Sequence, residues 1–290
     1  MRVRSVRTLA PWECVARAHA LAEATRDGAP RIAAAVVRGP CVALGSRQRA
    51  GAVVRDARAV HRATTGPEAW IGGRAIWWTL ALPRVDALFA DATPRTLLNR
   101  NVRGFLRGLT ACGALAHYFG RDAIAVRHKP AAQLGYDLLD DGRALLDVIA
   151  GWEEPPTLPA AHCARAPRAE GIALASVIRG LEPEQVAARV MEAVAARSGE
   201  TFDEERDEAL VAQEDPSEEV ALRGAVAVPI GWVEAGTRGG RPWLGGDLLA
   251  SSAWLRRAEE ALARGDALPE GAVIEGALPE DLARAWAMGG

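Results

Sequence analysis

The chain has 290 residues, of which 49% are hydrophobic and 25% charged, and its net charge is −2. That length can bury one large core or two smaller ones, and the near-neutral balance gives no electrostatic ground for a nucleic-acid or anionic-membrane partner. Four scattered cysteines (Cys14, Cys41, Cys112, Cys163) form no Cys-x-x-Cys pair, and Pro11, Glu13, Arg17 and His19 interrupt any leader-like apolar region behind Arg2, Arg4 and Arg7. No apolar run approaches the roughly 18 residues a membrane span needs, so a soluble, cytoplasmic chain with free thiols is expected.

In chain order, residues 11–26 read as a helix with Pro11 in its first turn and a stripe of Val15, Ala18, Leu21 and Ala22. Residues 32–37 and 41–44 are short apolar runs expected as strands on either side of the Gly39-Pro40 turn. The loop His61-Arg62-Ala63-Thr64-Thr65-Gly66-Pro67-Glu68, followed by Gly72-Gly73, places hydroxyls, glycine amides and a guanidinium together. Such a set can hold a phosphate or a carboxylate, or it is a plain turn between strands. Residues 75–82, with Trp77 and Trp78, read as a buried strand in which the tryptophans serve as core or line a pocket.

Residues 93–112 carry one apolar stripe (Leu97, Leu98, Val102, Phe105, Leu106, Leu109) and are expected to be helical, ended by Gly113. Strands are expected over 120–126 and 131–137, joined through Lys129-Pro130, and after an Asp140-Asp141-Gly142 turn over 144–149. Pro130 has no amide hydrogen to donate, so Lys129 belongs at a strand start or edge. The proline-rich stretch 153–168, carrying His162 and Cys163, reads as a surface loop, and 182–197 as a helix. Acidic residues dominate 200–219, expected as a solvated helix or linker marking a boundary between a unit 1–215 and a unit 216–290. Strands over 225–228 and 231–235, a helix over 252–264 and a last helix from Pro279 complete the chain. Strands alternating irregularly with single helices predict an α/β (α+β) fold, a mixed β-sheet with helices on one side, plus a small α/β carboxyl-terminal domain.

Lys129 is the chain's only lysine, beside 34 arginines. An ammonium is a compact point charge on a flexible stem, which a planar guanidinium cannot imitate in a tight pocket. The residues around it are ordered as in a known family. Val42-Ala43-Leu44-Gly45-Ser46-Arg47-Gln48, the Arg62–Gly66 loop, Gly120-Arg121-Asp122, Lys129 seven residues after Asp122, and the carboxyl-terminal Gly245-Gly246-Asp247-Leu248-Leu249 stretch together resemble the lipoate–protein ligase branch of the biotin/lipoate ligase and octanoyltransferase superfamily.

The resemblance implies ATP-dependent activation of lipoate with Mg2+ to an acyl-adenylate, then transfer to a lysine of a lipoyl domain of a 2-oxoacid dehydrogenase E2 or glycine-cleavage H protein. It implies Lys129 as the essential lysine, Arg62, Thr64, Thr65, Gly66, Gly73, Arg121 and Asp122 around substrate and nucleotide, and Asp122 toward the metal. Trp77 and Trp78, with Ile76, would line the acyl slot.

The sequence departs from the family pattern in four places. Paired glycines are reduced to Gly66-Pro67, His61 replaces the first arginine of a pair, the asparagine before Asp122 is absent, and Lys129 is followed by Pro130-Ala131-Ala132. Cys163, 34 residues beyond Lys129, keeps a second reading open. Octanoyltransferases pair their lysine with a cysteine at about that interval, and a thiolate there would carry the acyl group as a thioester. A third reading is a degenerate, non-catalytic member that binds an acyl chain or a partner protein.

Overall fold

The computed structural model describes residues 1–120, 122–165, 169–196, 203–205, 219–272 and 274–288. Its strands are β1 (Arg2–Arg4), β2 (Arg7–Leu9), β3 (Arg31–Arg38), β4 (Cys41–Leu44), β5 (Ala59–His61), β6 (Ala69–Ile71), β7 (Arg74–Leu82), β8 (Ala116–Tyr118), β9 (Ala123–Val126), β10 (Lys129–Leu138), β11 (Ala144–Gly151), β12 (Asp203–Glu205), β13 (Val220–Val228), β14 (Gly231–Arg238), β15 (Arg241–Gly246), β16 (Leu249–Ala250) and β17 (Ile274–Glu275). The helices are α1 (Pro11–Ala24), α2 (Ala50–Val53), α3 (Leu97–Ala111), α4 (Pro183–Ala195), α5 (Ser252–Arg264) and α6 (Pro279–Ala287).

Among the described residues the main sheet runs β12-β1-β3-β7-β11-β10-β9-β8, with β2 also paired to β3. β12, β1 and β2 join in parallel and the strands from β3 through β7 to β8 are antiparallel, so the sheet is mixed. The α/β fold with flanking helices is therefore present. The helices do not lie on one side, however. Strand alternation sends Ile76, Trp78 and Leu80 into a core with α3 and α4, and Ala75, Trp77 and Ala81 to the opposite face with Cys14 and Leu21 of α1. A strand buried at every position, as β7 is from Ala75 to Leu82, needs cover on both faces.

The helix over 97–111 buries the expected stripe apart from Leu106, which is half-buried. Its Gly104 and Gly108 face α4 so closely that a Cβ on Gly108 would lie 2.6 Å from the Val190 Cα. Trp78 donates its indole N–H to the Ala187 carbonyl of α4 at 3.1 Å and meets Phe105 edge-on.

Residues 220–288 form a second core of Val233, Leu244, Leu248, Trp254, Leu255 and Leu282, under a three-stranded antiparallel meander and the two-stranded β16–β17 pair. Leu249 of β16, by contrast, is part of the main core. Strand β15 was not expected from the sequence, because Pro242 and the glycine pairs Gly239-Gly240 and Gly245-Gly246 mask its alternation. Most of the acidic stretch 200–219 lies outside the described residues.

Replacing Gly108 with Ala gains up to about 1 kcal/mol of helix propensity. It also forces a methyl against the α4 backbone, an overpacking cost of about 1–3 kcal/mol. Backbone cannot move aside as a side-chain tip can, so a net loss of about 1 kcal/mol or more is expected in urea denaturation.

Candidate functional site

Lys129 opens β10 at a two-residue hairpin. Val126 and Lys129 pair across it, and both turn residues, Arg127 (φ 51°) and His128 (φ 62°), are left-handed without being glycine. Pro130 follows, and the register shifts between Pro130 and Ala132, a bulge at the residue pair where the missing amide falls. The Pro130 carbonyl accepts the Ile172 amide at 2.8 Å, and Gly171 is held by its own amide on Thr157 Oγ1 at 3.1 Å. This segment brings Glu170 to Lys129, where Nζ and the carboxylate lie 2.6 Å apart. Lys129 is about half exposed and Glu170 almost fully so, and the lysine holds the Glu170 carboxyl below its ordinary value.

The Arg62–Gly66 loop packs several residues farther along β10 and is buried. Thr64 Oγ1 donates to Asp147 Oδ2 at 2.7 Å, and Thr65 Oγ1 donates to the carbonyls of Tyr136 (2.7 Å) and Ala250 (2.8 Å) while accepting the Ala250 amide (2.9 Å). Arg62, 2% exposed, donates to the Pro67 carbonyl at 2.5 Å. Gly66 adopts φ 126°, and a Cβ there would meet the Leu134 carbonyl, Leu249 Cδ2 and the Arg62 guanidinium. A Cβ at Gly135 would meet Thr64 Oγ1 at 2.5 Å, so two glycines allow loop and strand to touch. Folded this way, the loop presents neither threonine hydroxyl to a phosphate.

Asp147 of β11 was not singled out from the sequence. It is 0% exposed and accepts from Thr64 Oγ1, from Thr79 Oγ1 (2.6 Å) and from the Trp77 indole N–H (3.1 Å). Its signal was there to read: a lone carboxylate within Ala144-Leu145-Leu146-Asp147-Val148-Ile149 must find buried donors. Trp77 is thus spent on Asp147 and Trp78 on α4, from opposite faces of β7, so the two do not line one acyl slot together.

Gly73 lies in the turn before β7, where a Cβ would strike Glu153 Oε2 at 2.4 Å, a tight packing position. Asp122, 9% exposed, precedes β9 and its carbonyl accepts the Leu134 amide at 2.8 Å. Among the described residues no group of three or more His, Cys, Asp or Glu is placed to hold a metal ion. Arg121 lies outside the described residues. Cys163 pairs in an isolated bridge with Val54, its thiol donating to the carbonyls of Leu158 (3.5 Å) and Pro159 (3.4 Å). Burial pushes that thiol up, Glu68 adds to the rise, and Arg165 opposes it. His162 stacks on Trp70, the indole whose N–H is bound to Glu154 at 2.8 Å.

The carboxyl-terminal unit closes over the loop through a seam of opposite charges. Arg47 meets Glu259 at 2.7 Å, Arg49 meets Glu234 at 2.9 Å, and Arg165 meets the fully buried Asp247 at 2.5 Å. Gln48 Nε2 joins Asp247 and Glu68, and Ser252 binds Asp137 through both amide (2.8 Å) and hydroxyl (2.7 Å). At the far end the Tyr118 hydroxyl donates to Glu275 at 3.4 Å, and burial raises the Glu275 carboxyl from 4.5 to about 7.

No protein-family model matches the chain, and no curated protein matches it. Solved structures do share its fold. It is similar to P. falciparum LipL1 in complex with lipoate, at 10% identity and a TM-score of 0.62, over 86% of this chain and 85% of that one. It is also similar to a bi-partite lipoate protein ligase from Thermoplasma acidophilum (11% identity, TM-score 0.58, 71% of this chain and 87% of that) and to a lipoate-protein ligase A bound with ATP (12%, 0.56, 71% and 89%). The chain thus has the α/β fold of these ligases. No helix among the described residues is long and apolar enough to cross a membrane.

Two measurements follow from this geometry. Asp147→Ala strands two buried hydroxyls and an indole N–H, at about 1–3 kcal/mol for each group left unsatisfied. A loss of about 3 kcal/mol or more in denaturant unfolding is expected, larger than that of Thr64→Val. For Glu275, the folded chain favours the protonated acid, because its folded value lies above the unfolded one. Its contribution is fully present below pH 4.5 and is lost as pH rises through about 7. Glu275→Gln is expected to flatten the fall in urea midpoint over that window.

Proposed function

We propose that the chain attaches lipoate, or a related short acyl chain, to a lysine of a lipoyl domain such as those of 2-oxoacid dehydrogenase E2 or glycine-cleavage H protein. In this reading ATP and Mg2+ are the activating cosubstrate, residues 1–215 form the catalytic unit and residues 216–290 an accessory unit. The supporting observation is the placement of the single lysine. Lys129 stands at a hairpin tip on the fold shared with lipoate ligases, half exposed, its one ion pair made to a surface carboxylate. Its ammonium can exchange Glu170 for the carboxylate of an acyl substrate, because an ion pair open to water is weak and easily replaced. A fixed cation beside a reacting carboxyl stabilises the charge that develops there.

A second reading is supported by the loop. Thr64 and Thr65 spend their hydroxyls internally and Pro67 removes an amide donor, which suits a member that binds an acyl chain or a partner without activating it. The thioester route through Cys163 draws less support, since a thiol raised by burial and bonded to two carbonyls is a poor source of thiolate.

Incubation with lipoate, ATP, Mg2+ and several apo lipoyl domains is expected to add one lipoyl mass to an acceptor. Lys129→Ala and Lys129→Arg are both expected to lower the rate by about 100-fold or more, since arginine keeps the charge but not the compact head. No mass gain on any acceptor sinks the ligase reading. Tight binding of a lipoyl-adenylate analogue without transfer would favour the second.

A further inference from the structure

A cleft whose lining includes neither the Lys129 hairpin nor Thr64 and Thr65 has no part in the proposed reaction. It opens between the start of α1 and the turn joining β3 to β4, with a volume of about 430 Å3. That lies within the range of about 300–1,000 Å3 usual for small-molecule sites. Leu9 and the nearly inaccessible Cys41 form its apolar floor, and Pro40 closes one side.

The walls carry unlike charges and surfaces to those found elsewhere on the molecule. Trp12 is 41% exposed, one of few large apolar side chains left open to solvent. The Arg58 guanidinium lies over its ring at 4.8 Å, and Arg38 stands on the opposite wall. Other arginines of the molecule, among them Arg31, Arg47, Arg49, Arg74, Arg143 and Arg165, are ion-paired. Among the described residues neither Arg38 nor Arg58 forms an ion pair within 4.0 Å, and the nearby Glu13 carboxylate is taken by the Ala10 amide at 2.6 Å. This cation–π contact holds the Arg58 guanidinium beside the cleft while leaving its N–H groups for an oxyanion. The indole offers flat apolar area beside it.

From this juxtaposition of an open indole, two guanidinium groups that form no ion pair within 4.0 Å among the described residues and an apolar floor, we infer that the cleft binds a small organic anion: a phosphate or carboxylate carried on a flat ring. The ring lies against Trp12 and the floor, and the oxyanion bridges Arg38 and Arg58. Phosphate and carboxylate share the chemistry of a planar or tetrahedral oxyanion that a guanidinium fork recognises.

Isothermal titration calorimetry on the whole chain with phenyl phosphate and with 2-naphthoate tests the inference and separates the two anion types. At least one is expected to bind with 1:1 stoichiometry, and inorganic phosphate and neutral 2-naphthol to bind about tenfold or more weakly, since each keeps half of the contacts. Trp12→Ala and Arg38→Gln are each expected to weaken binding about tenfold. The Arg38 side chain forms no ion pair within 4.0 Å among the described residues and only a longer-range attraction to Glu153, so Arg38→Gln is expected to keep the fold and the test holds even if Trp12→Ala disturbs α1. Binding is also expected to weaken as salt rises. Failure of both ring-bearing anions to bind, or binding that both variants leave unchanged, overturns the inference.

Discussion

The carboxylate of Asp147 is the constraint on which the centre of this structure depends. A charge with no solvent contact is costly unless its oxygens are filled by donors. Here they are filled from three directions: Trp77 and Thr79 from the neighbouring strand, and Thr64 from the loop that the family pattern assigns to substrate. The loop is thus tied to the sheet at Thr64. Thr65 then ties it to β10 and to β16 at once, through Tyr136 and Ala250. One buried charge in β11 fixes where the loop sits, and the loop in turn fixes where the carboxyl-terminal unit docks.

That docking is written in charge as well as in shape. Arginines of the main sheet's side face carboxylates of the 220–288 region, and Leu249 crosses into the main core to anchor them. Partly buried pairs of this kind are screened less by salt than exposed ones, and each breaks at the cost of a desolvated partner. The two regions therefore share one interior at the seam while keeping separate cores elsewhere. Glu275 and Tyr118 mark the outer end of that seam, where burial makes the Glu275 carboxyl favour its proton.

How much of this could be read from the residues depends on where the physics is local. The helices over 97–111 and 252–264 were legible because a stripe, a capping residue and a closing glycine all lie within one segment. The apolar runs in β3, β4, β7 and β11 were legible for the same reason, though not that helices cover both faces; that depends on which residues alternate toward α1. The short strands β5, β6, β8 and β16, of two or three residues, owe their form to neighbours rather than to pattern. At the site, the sequence located Lys129 at a strand start, since Pro130 forbids much else. It had no means of showing that Thr64 and Thr65 would spend their hydroxyls on Asp147, Tyr136 and Ala250, partners 71 to 185 residues away. Nor did it show Glu170 beside the lysine, which follows from a loop folding back onto the Pro130 carbonyl.

The lone lysine has a consequence for the molecule as a chemical object. Guanidinium groups stay protonated and do not react with the esters and anhydrides that modify amines. Lys129 is thus the one side-chain amine that the described chain offers to such reagents. A probe attached at that side-chain amine reports on one hairpin tip, and its rate of attachment measures how firmly Glu170 holds its partner.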